Sequence, residues 1–348
     1  MTTIKEIAKL ANVSAATVSN VLNGKGGASE AKKKQIRGLA AQLHYTPNTL
    51  AKSLKRRRSK TIGIITEDLT VFNTPEIVDG IDACCESSGF DIIIGNMRLF
   101  KKYNNDFTDT EKHQQLLDKV AASLMARQVE GMIYIGYHCR EIAYLPNRAA
   151  AVPLVYAYCF PCDRSIPSVI YDDEKAAYDM TNLLIQNGHT KIGALCGPFD
   201  SFHTQTRLRG FQTCLFDHGI LYDSRLTLFG DWSREAGRQL GGQLIQSGVR
   251  AIFSMSDEMA SGVYDYCADH HLTVGKDIAL TGFDNREISL AYRPSLTTVA
   301  LPLYDIGAKS ARILLDEING TKAPDRHYKI PCRIVERGSV CNLQTAEP

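Results

Sequence analysis

The length and composition of the chain indicate several domains with a buried core. Its 348 residues are 44% hydrophobic and 22% charged, and no apolar run reaches the roughly 18 residues that a membrane span needs. The first ten residues include Glu6 and lack the apolar stretch of a secretory signal, so we expect a cytoplasmic protein. Ten irregularly spaced cysteines predict buried free thiols rather than a disulfide framework.

Charge is distributed unevenly along the chain. The overall net charge is +2, but residues 1–60 hold thirteen lysines and arginines against only Glu6 and Glu30, a net charge of +11. The remaining residues carry a net charge of −9. A basic N-terminal segment on an acidic body predicts that this segment, and not the body, meets phosphate groups.

The first 45 residues are expected to form three short helices. Thr3 and Glu6 have the spacing of a capping box, Ser14 is a candidate N-cap for the second helix, and the third begins at Ser29 or Glu30. In a helix–turn–helix, the second helix presents its N-terminal residues to the major groove of DNA. The inner side would then hold Ile7, Leu10, Val13, Val18 and Leu22, and the outer face Ser14, Ala15, Ala16, Thr17, Ser19 and Asn20. Another small helical module would show the same periodicity.

From residue 61 the pattern changes to alternating strands and helices. The short apolar runs TIGIIT, FDIIIG and GMIYIG are typical of parallel strands and are separated by helical stretches. The alternation resumes after VPLVYAY with the strands KIGALCG, LTLFG, AIFSM and DIALTGF. Two such series predict an α/β fold with two parallel-sheet lobes. Residues 98–110 form a longer connection than such units need.

The motifs of common enzyme classes do not occur in this sequence. No G-x-G-x-x-G, G-x-x-x-x-G-K-[ST] or G-x-S-x-G follows a predicted strand. Cys159 and Cys162 form a C-x-x-C without a second pair, and His138 with Cys139 and His270 with His271 are isolated. We therefore expect no enzymatic activity, no cofactor and no bound metal.

Two N-terminal stretches carry a specific resemblance. TIKEIAKLANVSAATVSNVLNG and LHYTPNTLAKSLKRRRSKTIGII resemble the DNA-binding head and the hinge of the LacI/GalR family of bacterial repressors. The later stretches GHTKIGALCGP, TRLRGF, SMSDEMASG, LTGFDN and PSLTTV are similar to that family's landmarks and follow in the same order. The resemblance implies a periplasmic-binding-protein-like body of two Rossmann-like lobes joined by three crossovers, with an effector in the cleft, and a homodimer.

The resemblance also implies domain boundaries. A helix–turn–helix domain would span residues 1–47 and a hinge helix or linker residues 48–60. The effector-binding and dimerisation domain would then span residues 61–345. Its N-lobe would comprise residues 61–160 and 291–322, and its C-lobe residues 161–290 and 323–345.

In the head, three positions match those with which the family reads bases. These are Ala15, Ala16 and Asn20; asparagine can bond adenine bidentately, whereas alanine offers only apolar contact. Thr17 and Ser19 match positions that face the DNA backbone or pack, and Ser14, whose hydroxyl is expected to face outward, is the remaining expected DNA-binding residue of this helix.

Residues 48–57 match the family's hinge helix. Leu54 stands where the family inserts a leucine into the minor groove, and Lys52 stands where arginine is commoner. Asn48 and Lys55 complete the expected DNA contacts of this segment.

In the body, Arg207 and Asp284 match two polar residues that clamp an effector. Trp232 matches a position where an aromatic ring stacks on the ligand, and Ser256 one where the family often has asparagine. Each has a structural alternative: surface pairing for Arg207, turn capping for Asp284 and core packing for Trp232.

Two departures from the family pattern concern the ligand. Phe72 and Asn73 replace the usual aromatic residues after the first strand. Tyr158 lies where many members carry a sugar-binding aspartate, which argues against a simple hexose. The longer connection, residues 98–110, is a candidate to reshape the cleft entrance.

These features together predict a sequence-specific transcriptional regulator, a repressor, associated with the nucleoid. It would bind a pseudo-palindromic double-stranded operator and a small polar effector, a sugar or sugar-like molecule being favoured over a nucleobase. A transport or sensing protein with the same two lobes is the alternative, but it would begin with a signal peptide. A third class, a nucleotide-cofactor enzyme, would be separated by a turnover assay.

Overall fold

The computed structural model describes residues 3–25, 27–45, 58–104, 106–146, 152–322 and 325–343. The chain divides into two compact units, which we call the head and the body, with the boundary between Ser59 and Lys60. Within the described residues, no helix is both long and apolar enough to cross a bilayer.

The described residues of the head form three helices around a small apolar core. They are α1 (Ile4–Ala11), α2 (Ala15–Leu22) and α3 (Glu30–Gln42). The predicted caps are confirmed: Glu6 accepts a hydrogen bond from the Thr3 amide at 2.8 Å, and Ser14 accepts from the Thr17 amide at 3.0 Å. Ser29 is the N-cap residue of α3 but makes no side-chain cap hydrogen bond.

The core of the head differs from the prediction at one position. Ile7, Val18 and Ile36 are fully buried, but Leu10 is 57% exposed. Val21 takes the inner place instead, because it lies three residues after Val18 on the same face of α2. The assignment of Leu10 to the inner side is therefore wrong.

The body contains two parallel sheets, as predicted. The first sheet has six strands in the order β13-β7-β5-β3-β1-β2, and the second has four in the order β11-β10-β8-β9. The strands of the first sheet are β1 (Thr61–Thr66), β2 (Asp91–Asn96), β3 (Gly131–Ile135), β5 (Leu154–Ala157), β7 (Ser168–Tyr171) and β13 (His327–Ile330). Those of the second are β8 (Ile192–Cys196), β9 (Thr227–Phe229), β10 (Ala251–Ser254) and β11 (Ala279–Thr281).

Helices cover both sheets, and two short sheets lie beside them. The body helices are α4 (Thr74–Ser87), α5 (Leu99–Tyr103), α6 (Thr110–Met125), α7 (Asp173–Gln186), α8 (Phe202–Asp217), α9 (Arg234–Gln246), α10 (Asp257–Asp269), α11 (Ile288–Ala291) and α12 (Leu303–Ile318). One short sheet pairs β4 (Glu141–Ile142) with β6 (Phe160–Pro161), and the other pairs β12 (Thr298–Ala300) with β14 (Arg333–Val335). Runs such as Gly131–Ile135, buried at every residue, form strands because helices cover both faces of a parallel sheet.

The chain passes between the two lobes three times. It leaves the first sheet after β7, returns between β11 and α12, and leaves again after β13. The predicted lobe boundaries are wrong at two places, because β7 and β13 both belong to the first sheet. They fell within residues 161–290 and 323–345, which the prediction assigned to the C-lobe. After β13 the chain does enter the second lobe, where the Ser339 hydroxyl donates to the carbonyl of Leu280 at 2.6 Å.

Candidate functional site

The predicted effector residues of the body lie at the carboxyl ends of the strands. Ligands of open parallel α/β sheets bind at this edge. Tyr158 directly follows β5, Ser256 lies two residues after β10, and Asp284 lies three residues after β11. Arg207 lies on α8, the helix that follows β8. The topology thus brings residues of both lobes to one cleft.

Arg207 is buried and hydrogen-bonded on three sides. Its Nε donates to Asp173 Oδ1 at 2.6 Å, its Nη2 donates to the Tyr171 hydroxyl at 2.9 Å, and its Nη1 donates to the carbonyl of Met255. One face of the guanidinium lies 3.6 Å from the centre of the Phe283 ring. Because Arg207 is only 2% exposed, it is not a surface ion pair.

Asp173 is the counter-ion that keeps Arg207 in place. It also accepts a hydrogen bond from His203 Nδ1 at 2.8 Å. Burial alone would raise the pKa of Asp173, but the charge of Arg207 and the contact with His203 outweigh it and lower that pKa. Neither Asp173 nor His203 was predicted from the sequence. Their signal was positional, because His203 lies four residues before Arg207 on one face of α8, and Asp173 is the first residue of α7.

Asp284 has unused hydrogen-bonding capacity. Its Oδ1 lies 3.6 Å from Arg207 Nη2, and no hydrogen bond to its carboxylate occurs among the described residues. Burial raises the pKa of Asp284 to about 6, although the charge of Arg207 acts in the opposite direction. The side chain caps no turn and remains able to accept hydrogen bonds from a ligand.

Asp257 is a second buried carboxyl group of the cleft and was not predicted. Its Oδ2 accepts from the Arg286 amide at 2.7 Å, and its Oδ1 accepts from the Thr298 hydroxyl at 2.5 Å. Burial, and after it the charge of Asp284, raises the pKa of Asp257 to about 8. The group therefore stays protonated at neutral pH.

Trp232 is half-buried beside Arg207, with its ring 5.9 Å from the guanidinium. A Cβ atom at Gly197 would lie 2.2 Å from the Trp232 ring, so only glycine allows this approach. Trp232, Tyr158 and Asp284 have φ angles of 70°, 64° and 103°. Backbone strain of this kind in non-glycine residues concentrates at binding sites.

Tyr158 is buried and belongs to the Arg207 network. Its hydroxyl lies 3.4 Å from the Tyr171 hydroxyl, which in turn accepts from Arg207. A phenol therefore occupies the place for which the family pattern suggests a carboxylate.

The other three predicted effector residues have different environments. Phe72 is exposed, with the guanidinium of Arg286 5.4 Å from its ring. Asn73 is fully buried; its Nδ2 donates to the carbonyl of Gly136 at 3.2 Å, and its Oδ1 has no partner among the described residues. Ser256 caps α10 by accepting from the Met259 amide at 3.1 Å. Its hydroxyl is thus already used within the protein.

In the head, Ala16 and Asn20 lie on the exposed face of α2, one turn apart. Ala15 is half-buried against the core of the head. Ser14 contacts the Thr17 hydroxyl at 2.9 Å, and Ser19 accepts from Asn23 Nδ2 at 3.3 Å, so these hydroxyls are partly engaged within the helix. The predicted hinge residues Asn48, Lys52, Leu54 and Lys55 lie outside the described residues.

The described parts of the chain contain neither a candidate metal site nor a disulfide between Cys159 and Cys162. No group of three or more histidine, cysteine or acidic residues is arranged there to hold a metal ion. Cys159 is buried and Cys162 is exposed, and both are free.

Comparisons with known proteins point to one family along the whole chain. A family profile described as "Bacterial regulatory proteins, lacI family" matches residues 3–48, and one described as "Periplasmic binding protein-like domain" matches residues 181–340. The transcriptional repressor CytR of Escherichia coli (strain K12) is 30% identical over 97% of this chain and 96% of its own length. Catabolite control protein A of Priestia megaterium is also 30% identical, over 97% and 98% of the two chains.

A solved structure shows the same architecture. The lac repressor dimer bound to operator and the anti-inducer ONPF has a TM-score of 0.77 and 26% identity, and the match covers 98% of this chain and 99% of that one. These relatives are repressors or regulators and not enzymes, in agreement with the absence of catalytic motifs from the sequence.

Proposed function

The chain belongs to the LacI family of bacterial regulatory proteins and is a DNA-binding transcriptional regulator. From this premise we propose that it is a repressor controlled by a small neutral polar ligand in the cleft. The observation that carries the proposal is Asp284, a buried carboxylate that accepts no hydrogen bond among the described residues and lies beside Arg207, whose three nitrogens each donate one bond within the protein. Such a group calls for a ligand with hydroxyl or N–H donors.

The charge of the cleft favours a neutral ligand over an anion. Arg207 is a single positive charge between two carboxylates, Asp173 at 2.6 Å and Asp284 at 3.6 Å, which leaves one negative charge in excess. An anionic ligand would bring a like charge against Asp284 at low dielectric, which is costly. Together with the ring of Trp232, the carboxylate favours a sugar or sugar-like molecule, and Tyr158 argues against a simple hexose.

A homodimer on a pseudo-palindromic operator follows from the same premise. The lac repressor structure is a dimer on its operator, and two-fold proteins bind two-fold sites. Coupling would then be reciprocal: the ligand changes operator affinity by the factor by which the operator changes ligand affinity.

The test begins with selection of an operator from random duplex DNA by the full-length protein. Fluorescence anisotropy then measures operator affinity in the presence of neutral sugars, sugar phosphates, nucleosides and nucleobases. We expect only neutral compounds to shift the affinity. A response restricted to sugar phosphates would contradict the proposed ligand class. A response restricted to nucleosides or nucleobases would favour a nucleobase-type ligand over a sugar.

Arg207→Ala provides the decisive variant of this experiment. It should bind the operator normally but lose about 1–3 kcal/mol of ligand affinity, because Asp284 and the ligand lose their buried cationic neighbour. Arg209→Ala is the matched control, since Arg209 lies on the same helix with 63% of its side chain exposed and pairs with Glu174 at the surface. An equal ligand response in both variants would remove Arg207 from the site.

A further inference from the structure

The long connection, described at residues 98–104 and 106–109, is folded onto the cleft edge of the first lobe. It contains the short helix α5 and is anchored to residues that follow β1 and β3. The Leu99 amide donates to the carbonyl of Glu67 at 2.8 Å, and the Tyr137 hydroxyl donates to the carbonyl of Asn104 at 2.7 Å. We call residues 98–109 the inserted segment.

A buried ion pair fixes the far end of the inserted segment. Glu67 is fully buried and accepts two hydrogen bonds from Arg140, at 2.9 and 2.6 Å. Burial would raise the pKa of Glu67, but the charge and hydrogen bonds of Arg140 lower it. The guanidinium, held in this way, lies 3.8 Å from the centre of the Phe107 ring. Phe107 therefore packs against a guanidinium that its bidentate bond to Glu67 holds in one place.

The turn after β3 connects the inserted segment to the other lobe. The ring of His138 meets Phe107 edge-on at 5.9 Å and faces His203 at 6.5 Å. The Cys139 amide donates to His203 Nε2 at 3.3 Å. Because Nε2 accepts, the ring proton lies on Nδ1, which donates to Asp173 at 2.8 Å. His203 therefore bonds the first lobe with one nitrogen and the counter-ion of Arg207 with the other.

We propose that the inserted segment, His138 and His203 form an interlobe clasp that closes the cleft and positions the effector site. The inference rests on the proposed function, since closure of the cleft is what the ligand would control. The clasp works through two contacts: Phe107 holds the turn at His138, and Cys139 bonds His203. Breaking either contact shifts the lobes toward the open arrangement.

The clasp also sets which ligands fit. A ligand that lies within the closed cleft leaves the bond from Cys139 to His203 intact and is favoured by it. A ligand that holds the lobes apart must break that bond. The inserted segment therefore acts as a selectivity element, although Phe107 stands apart from Arg207 and Asp284.

The thiol of Cys139 reports opening directly. Cys139 is 3% exposed, and its own backbone amide makes the interlobe bond. Alkylation of the full-length protein by N-ethylmaleimide, followed by mass spectrometry of each cysteine, measures how often the cleft opens. Cys85 and Cys214 are fully buried and lie outside the clasp, so they serve as internal references for general unfolding.

We expect Phe107→Ala and His203→Leu each to raise the alkylation rate of Cys139 roughly five- to tenfold, as for the loss of one net hydrogen bond or contact. The rates of Cys85 and Cys214 should stay unchanged. Thr204→Val is the matched control, because Thr204 is the buried neighbour of His203 and its hydroxyl has no partner among the described residues.

Two outcomes would overturn the clasp. One is an unchanged Cys139 rate in Phe107→Ala, a half-buried position where the variant should fold even if His203→Leu does not. The other is an equal rise at Cys85 and Cys214, which would show general destabilisation. The measurement uses neither DNA nor ligand, so its failure is distinguishable from failure of the proposed function.

Discussion

Single carboxyl groups in the cleft make stability depend on pH. Asp257, with its pKa raised to about 8 by burial, keeps a proton in the folded protein, whereas in the unfolded chain it ionises near its ordinary value of 3.8. Between these values the folded state binds more protons than the unfolded state. The free energy of unfolding therefore falls as pH rises through this window.

Asp257→Asn should remove the upper part of this dependence. The amide oxygen of asparagine can accept from the Arg286 amide and its NH2 group can donate to the Thr298 hydroxyl, but the side chain does not titrate. Urea unfolding at pH 5, 6, 7 and 8 should show a flatter curve for the variant, mainly between pH 6 and 8, because Asp284 still titrates near 6. Parallel curves for the variant and the natural protein would contradict the assignment.

Asn20 carries the prediction for base reading. It is exposed on α2, one turn after Ala16, and asparagine is the side chain that bonds adenine bidentately. Asn20→Ala should relax preference at one base pair by roughly 1–3 kcal/mol. Lys55→Ala, which lies outside the described residues, should instead weaken binding to all sequences equally. Selection on random DNA followed by anisotropy separates the two effects.

Pairs of helices in the body pack through glycines. A Cβ atom at Gly307 of α12 would lie 2.0 Å from the carbonyl oxygen of Ile77 on α4, and one at Gly80 would lie 2.1 Å from that of Tyr304. The two backbones thus approach too closely for any other residue. This contact holds α12 on the first lobe, although α12 follows the second lobe in sequence.

Gly307→Ala should destabilise the body by about 1–3 kcal/mol or more, because the helices must separate to admit the methyl group. Gly38→Ala is the control: nothing lies within 4 Å of its Cβ position on α3, so alanine should favour the helix there. Denaturant unfolding of both variants checks the prediction. Equal stability of Gly307→Ala and the natural protein would show that the helix pair adapts.

Elements with strong local patterns were predictable from the sequence. The apolar run TIGIIT forms the strand β1, and the capping residues Thr3 and Ser14 act as expected. The strands β7 and β13 were missed because each has only four residues and because they pair with each other although they lie far apart in sequence. A local pattern carries no information on such pairing.

In the candidate site, too, some residues were predictable from the sequence and others were not. Arg207 and Asp284 were found through their motifs, and the structure brings them together. Asp173 and His203 were missed because neither belongs to a chemical motif, and their role depends on how α7 packs against α8. The burial that raises the pKa of Asp257 is likewise a property of the folded lobe and not of the sequence around it.

At the scale of the whole molecule, charge separates the DNA-binding part from the rest. Residues 1–60 carry a net charge of +11 and the remaining residues one of −9. We expect operator affinity to fall with salt at a log–log slope of about −0.9 per neutralised phosphate. Anisotropy titrations between 50 and 200 mM salt measure this slope. Over that range a protein that contacts 6–10 phosphates loses roughly 10³–10⁵-fold in DNA affinity. A flat response would contradict the role of the basic segment.

The left-handed backbone at Tyr158, Trp232 and Asp284 has a consequence for how this protein can change. Each residue holds a conformation that glycine would adopt at lower cost. A library of variants selected only for heat resistance should therefore accumulate glycine at these three positions. A library selected for regulation in living cells should keep their side chains. At these cleft positions, selection for thermal stability and selection for ligand-dependent regulation therefore favour different amino acids.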